Sequence, residues 1–133
     1  MLSTEIYWLC LSILFSSLMW IPYIINRMFE MGLWQALYNP QPDTRPRAQW
    51  AERMMRAHDN AVENMVIFAP LVLLVEITES ASNLTSMAVI LYFYARVIHF
   101  TVFTAGIPLL RVPAFLAGFV AQLLLALSLL NVL

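Results

Sequence analysis

The sequence predicts an all-α integral membrane protein, a four-helix bundle forming a single four-span domain over residues 1–133. Three observations lead there. The chain is 62% hydrophobic and 11% charged, with a mean hydropathy of +0.77. That leaves too little polar surface to cover a soluble domain of this size. Four segments reach the roughly 20 apolar residues that a transmembrane helix needs. The basic residues fall in or beside only two of the three connections, the asymmetry expected of a multi-span protein. A net charge of −1 gives no pull toward nucleic acid, and a lone cysteine, Cys10, excludes an internal disulfide framework.

The first span is expected at 4–26, with helix continuing toward residue 37. Glu5 stands where a signal peptide would carry basic residues, and no small-x-small site precedes Pro22, so this segment reads as a span. Residues 38–48 form the first connection, where Pro40, Pro42 and Pro46 forbid continuous helix. The second span is expected at 53–79, on a helix beginning near Ala48. The third is expected at 84–105, after a short polar turn. Gly106 and Pro108 punctuate the last connection, and the fourth span is expected at 112–132. There, Ala114, Ala117, Gly118 and Ala121 permit close helix packing, with Gln122 as an interhelical hydrogen bonder.

All seven basic residues are arginines: Arg27, Arg45, Arg47, Arg53, Arg56, Arg96 and Arg111. They cluster at the first and third connections, while the opposite side holds Glu5, Glu76 and Glu79. Connections one and three are therefore expected to be cytoplasmic, in a bacterial inner membrane or the endoplasmic reticulum.

The second span opens with "RMMRAHDNAVEN", polar groups that lipid penalises. At 100° per residue, Arg53, Arg56, Asn60 and Glu63 fall within an arc of about 80°. His58 falls on nearly the opposite face. In the third span, Arg96, His99 and Phe103 again share a face. An arginine at the centre of a span costs from about 2.5 kcal/mol upward, so these groups must face protein or a wet cavity. One reading is structural: Arg96 pairs with Glu63 across helices while Arg53 and Arg56 reach the headgroups. The other is a polar cleft for a small ligand carrying both signs of charge. Guanidinium forks suit carboxylates, Glu63 suits an ammonium, and Asn60 suits an amide or carboxylate. Glutathione, with two carboxylates and one amine, matches that set. His58 and His99 lack a metal-ligand constellation, so no metal site is expected.

The string "ERMMRAHDNAVEN" resembles the signature of the membrane-associated proteins in eicosanoid and glutathione metabolism, the MAPEG family. In that family, E-R-x-x-R-A-x-x-N-x-x-E opens the second helix. Glu52, Arg53, Arg56, Ala57, Asn60 and Glu63 stand in register, and "ARVIHF" and "LLRVPAF" extend the likeness. The resemblance implies a homotrimer with glutathione in a cleft between neighbouring subunits, near the cytoplasmic face. It implies a transferase or peroxidase acting on a lipophilic electrophile or hydroperoxide from the lipid. Arg56, Asn60 and Glu63 resemble glutathione contacts, and Arg53 a contacting or supporting base. His58 matches a position that is His in prostaglandin-forming members and Gln in leukotriene-forming ones. His99 resembles a contact from the third helix. Arg96 joins this cofactor-binding set through its shared face with His99, and Arg27 matches another ligand-binding arginine. Arg111 resembles the catalytic arginine that stabilises the glutathione thiolate.

Two departures stand out. Phe103 replaces a tyrosine whose hydroxyl contacts the ligand. Pro70 lies seven residues after Glu63, rather than three or four, which predicts a bend or break of the second helix at a different depth. Two alternatives remain at this level. One is a non-catalytic lipid- or glutathione-binding scaffold of the same fold. The other is a small transporter using Glu63 as a proton-coupled site.

Overall fold

A computed structural model describes residues 1–38 and 45–133. Most of the proline-rich first connection, with Pro40 and Pro42, lies outside the described residues. The described chain is helical: α1 (Thr4–Leu18), α2 (Trp20–Met31), α3 (Leu33–Leu37), α4 (Gln49–Ile77), α5 (Asn83–Ala105) and α6 (Pro108–Leu129). Among the described residues four stretches are long and apolar enough to cross a membrane: Thr4–Met31, Gln49–Ile77, Asn83–Ala105 and Pro108–Leu129.

Local chemistry sets most helix ends. Ser3 caps α1, its Oγ accepting from the Ile6 amide at 3.1 Å. The first span is interrupted at Met19, one turn before Pro22, whose missing N–H leaves the Leu18 carbonyl without its helical donor. Gly32 ends α2 at φ 83, a region open to residues lacking a Cβ. The α5 helix starts with a reciprocal capping box between Ser82 and Thr85. It ends at Gly106 in the left-handed conformation. The α6 helix begins at Pro108, because proline is preorganised for the first helical turn. Of the bend or break expected at Pro70, the break does not occur. The α4 helix runs unbroken from Gln49 to Ile77 with Pro70 inside it, and the exposed position of Pro70 keeps its ring clear of the neighbouring helices.

The core is an apolar cluster built on a ring stack. The Phe68 and Tyr92 rings lie parallel with centroids 3.5 Å apart. Leu9, Val72, Val75, Ala88, Val89, Ala121 and Leu125 surround them, all buried. Small residues on α6 let it approach α5 closely: Ala114, Gly118 and Ala121 are buried. Gln122 forms its expected interhelical bond, donating to the Asn64 carbonyl at 3.2 Å and to Asn64 Oδ1 at 3.3 Å.

Polar ties close both ends of the bundle. At the end bearing the chain termini, Glu5 is buried on α1 and accepts hydrogen bonds from Thr85 Oγ1 at 2.7 Å and Ser86 Oγ at 2.8 Å. Ser3 Oγ donates to Glu76. At the other end, Glu30 on α2 accepts from the amides of Arg47 (3.0 and 3.1 Å) and Ala48 (3.0 Å) and from Asn26 Nδ2 (3.0 Å). The N-cap residue of α4, Ala48, has no side-chain acceptor of its own. Glu30 therefore caps α4 from a distance and sets where the arginine-bearing turn starts. Replacing Glu30 by alanine is expected to raise hydrogen exchange at the Arg47 and Ala48 amides several-fold, with α5 and α6 unchanged. Unchanged protection at those two amides would remove Glu30 from this role.

Candidate functional site

The inward stripe of α4 is Ala51, Met54, Ala57, Ala61, Asn64, Phe68, Val72 and Val75, all buried. The stripe leaves Arg53, Arg56, Asn60 and Glu63 at its edge or outside it. Arg56 and Glu63 are exposed, and Arg53 and Asn60 are half-buried. His58 turns to the other side of α4, as its helical angle requires, and its Nδ1 shares a 2.7 Å hydrogen bond with the Tyr23 hydroxyl of α2.

Arg53 is held by the end of α5. Its Nε donates to the Thr104 carbonyl at 2.9 Å, a cation at a helix C-terminus where carbonyls lack partners. Gly106 leaves room for it: a Cβ there would lie 3.0 Å from the Arg53 Cζ. One turn along α4, Arg56 Nη2 donates to Glu52 Oε1 at 3.0 Å. This exposed i,i+4 pair contributes little to stability and leaves the arginine free to re-pair with a ligand.

Arg111, in the first turns of α6, is exposed, and its Cζ lies 5.3 Å from the centre of the Phe103 ring. Phe103 thus carries no hydroxyl toward a ligand but offers a π-face to the guanidinium. Arg53, Arg56 and Arg111 meet around one open concavity of about 260 Å³, completed by Gln49, Glu52 and Phe103. Three cations face one carboxylate, so the concavity favours anions. Its volume lies just below the roughly 300–1,000 Å³ of small-molecule sites.

Asn60 and Glu63 continue the same face deeper into the span. The interhelical pair between Glu63 and Arg96 is not formed. Among the described residues Glu63 has no hydrogen-bond or ion-pair partner, and Arg96 pairs instead with Asn60, its Nη1 donating to Oδ1 at 3.0 Å. Arg96 is 4% exposed. It lies against the Tyr92 and Phe115 rings, with its Cζ 5.7 and 5.4 Å from their centres. His99 is also buried, between the Phe103 and Phe115 rings.

Arg27 lies elsewhere. It lines a second concavity of about 350 Å³ with Arg45, Pro46, Glu52, Met55, Arg56 and Asp59. Glu52 and Arg56 form the ridge between the two concavities. One subunit therefore unites Arg53, Arg56 and Arg111 in one hollow, with Asn60 and Glu63 on its helix face. It leaves Arg27 and His58 on another side and encloses Arg96 and His99. Glu52 and Gln49 are lining residues that the charge pattern did not single out. Each lies four residues before an arginine of the face, and Glu52 also opens the family signature.

The model of the MAPEG family matches residues 6–131 of the chain. No curated protein and no solved structure matches significantly.

Proposed function

The chain belongs to the MAPEG family, integral multi-pass membrane proteins associated with glutathione or eicosanoid metabolism, and from that premise we propose that it binds glutathione and activates it. In this reading the protein conjugates glutathione to lipophilic electrophiles, or uses it to reduce lipid hydroperoxides. The observation that carries it is the meeting of Arg53, Arg56 and Arg111 around one hollow, with the exposed carboxylate of Glu63 further along the same α4 face. Donors for carboxylates and an acceptor for an ammonium lie on one side of the subunit, and the family supplies a ligand with both.

Each residue has a distinct task. Arg56 and Arg53 hold a ligand carboxylate, Asn60 a carboxylate or amide, and Glu63 the ammonium. Arg111 stabilises the sulfur as a thiolate, and bound glutathione supplies the nucleophile or reductant. Phe103 lines the hollow beside Arg111, and His99 packs behind the Phe103 ring. The open, small hollow and the exposed Glu63 fit a cleft that a neighbouring copy completes, with Arg27 and His58 on the face that a subunit offers to its neighbour. The family resemblance and the charge asymmetry support a homotrimer oriented with its arginines on the cytoplasmic side. The position of these groups at one end of the bundle, rather than mid-span, disfavours the transporter reading. The second reading is a scaffold that binds glutathione without activating it, and the observation favouring it is the missing hydroxyl at Phe103.

Isothermal titration in mild detergent, with the assembly mass measured on the same sample, tests the proposal. A trimer that binds glutathione, and shows thiolate absorbance at neutral pH, is expected. A trimer that binds without thiolate absorbance supports the scaffold. Absence of binding overturns both.

A further inference from the structure

Arg96 lies one hydrogen bond behind the exposed face of α4. Its Nη1 donates to Asn60 Oδ1 at 3.0 Å and its Nη2 to the Phe115 carbonyl at 3.3 Å. The rings of Tyr92 and Phe115 flank it, and α6 closes on it so tightly that a Cβ on Gly118 would lie 2.6 Å from Nη2. At 4% exposure the guanidinium is enclosed and meets the α4 face through Asn60. The ion pair present among the described residues is Arg56 with Glu52, so the Arg96 charge is not neutralised by a carboxylate there.

The chemistry of the two side chains then decides which way Asn60 faces. A guanidinium has donors and no acceptor, whereas an amide has an acceptor end and a donor end. Arg96 takes the oxygen. Asn64 Nδ2 approaches the same oxygen at 3.4 Å and also donates to the Asn60 carbonyl at 2.8 Å. With its oxygen held inward by two donors, Asn60 has only its Nδ2 to offer a ligand. An amide free to flip would accept from an ammonium as readily as it donates to a carboxylate.

We propose that Arg96 is a positioning residue: it locks the Asn60 amide, so that the site takes a hydrogen-bond acceptor, a carboxylate or carbonyl, at that point and rejects a cation. The proposal rests on the glutathione reading for the identity of the ligand, not for the pairing itself. The un-neutralised charge behind Asn60 acts in the same direction, favouring an anion on the exposed side.

Asn60→Asp separates the two faces of that residue. The variant keeps an oxygen toward Arg96 and gains an ion pair there, but turns a second, negative oxygen outward. Its Tm is expected at or above the wild-type value, while glutathione affinity falls on the order of a hundredfold from like-charge repulsion. Arg96→Met, which exchanges a buried cation for an apolar chain of similar length, is expected to lose about tenfold in affinity. Arg96→Lys should recover part of that loss, because an ammonium also only donates. In an Asn60→Ala background, Arg96→Met should change affinity no further, since the guanidinium acts through the amide. Equal losses from Arg96→Met in both backgrounds, or wild-type affinity in Asn60→Asp, would overturn the proposal. If the wild type binds no glutathione, the ligand assignment fails, and the pairing is read from thermal melts alone. Asn60→Asp must then leave Tm at or above its parent with Arg96 present and lower it with Met in its place, and any other pattern removes Arg96 from this role.

Discussion

Arg111→Ala is expected to reduce turnover by two orders of magnitude or more while glutathione still binds within about tenfold of wild type. A free thiol with a pKa near about 8.5 is mostly protonated at neutral pH, and each unit of depression corresponds to about 1.4 kcal/mol. The Arg111 guanidinium stands at the rim of the arginine-lined hollow, over the Phe103 ring, without an acidic partner among the described residues. Its charge is thus available to a sulfur anion. Removing it raises the thiol pKa and with it the fraction protonated, so the loss is greatest at neutral pH and shrinks as pH rises through the thiol range. Binding survives because Arg56, Asn60 and Glu63 remain. Arg111→Lys keeps the charge but loses the planar fork and its stacking on Phe103, so an intermediate loss is expected. Ultraviolet absorbance of the bound thiolate and steady-state rates across pH check both variants. Full turnover in Arg111→Ala would assign activation to another group.

Glu63→Gln is expected to weaken glutathione binding by about 2–5 kcal/mol, the cost of removing one partner from a desolvated charged hydrogen bond. The carboxylate lies on the same α4 face as Arg56 and Asn60 and has no internal partner among the described residues. The fold of the subunit therefore does not depend on it, and Tm should change little. Glu79→Gln is the control, because Glu79 lies exposed in the turn at the opposite end of the bundle, and its affinity should match wild type. Titration calorimetry of the two variants decides the matter. Equal affinities would displace the ligand from the α4 face.

Much of this site was legible in the order of residues, because the information is local. A helix rotates a fixed 100° per residue, so the shared face of Arg53, Arg56, Asn60 and Glu63, and the opposite placement of His58, follow from spacing. Gly106 and Pro108 mark the junction before α6 through their own backbone limits. The hydropathy of the four long segments identifies what can cross a bilayer, since that depends on composition and length. Other features had no local signature. Spacing could not tell whether Arg96 would reach Glu63 or Asn60, since both lie on one face of α4 and the choice depends on the axial offset of α5 against α4. The clasp of Arg53 on Thr104 and the remote capping of α4 by Glu30 join residues far apart in the chain, so no pattern of neighbours announces them. Pro70 predicted a bend or a break from local chemistry, and α4 continues through it without a break, because the residues beyond it, Val72 and Val75, are held in the core by the neighbouring helices. What the sequence alone determined is therefore the number of spans, their polar faces and the end that bears the arginines, all properties of a chain and its solvent. The tertiary structure decided which polar groups are spent on one another and which remain for a ligand. That choice rests on separations of a few ångströms between helices, set by small residues such as Gly118 and fixed only when the helices pack.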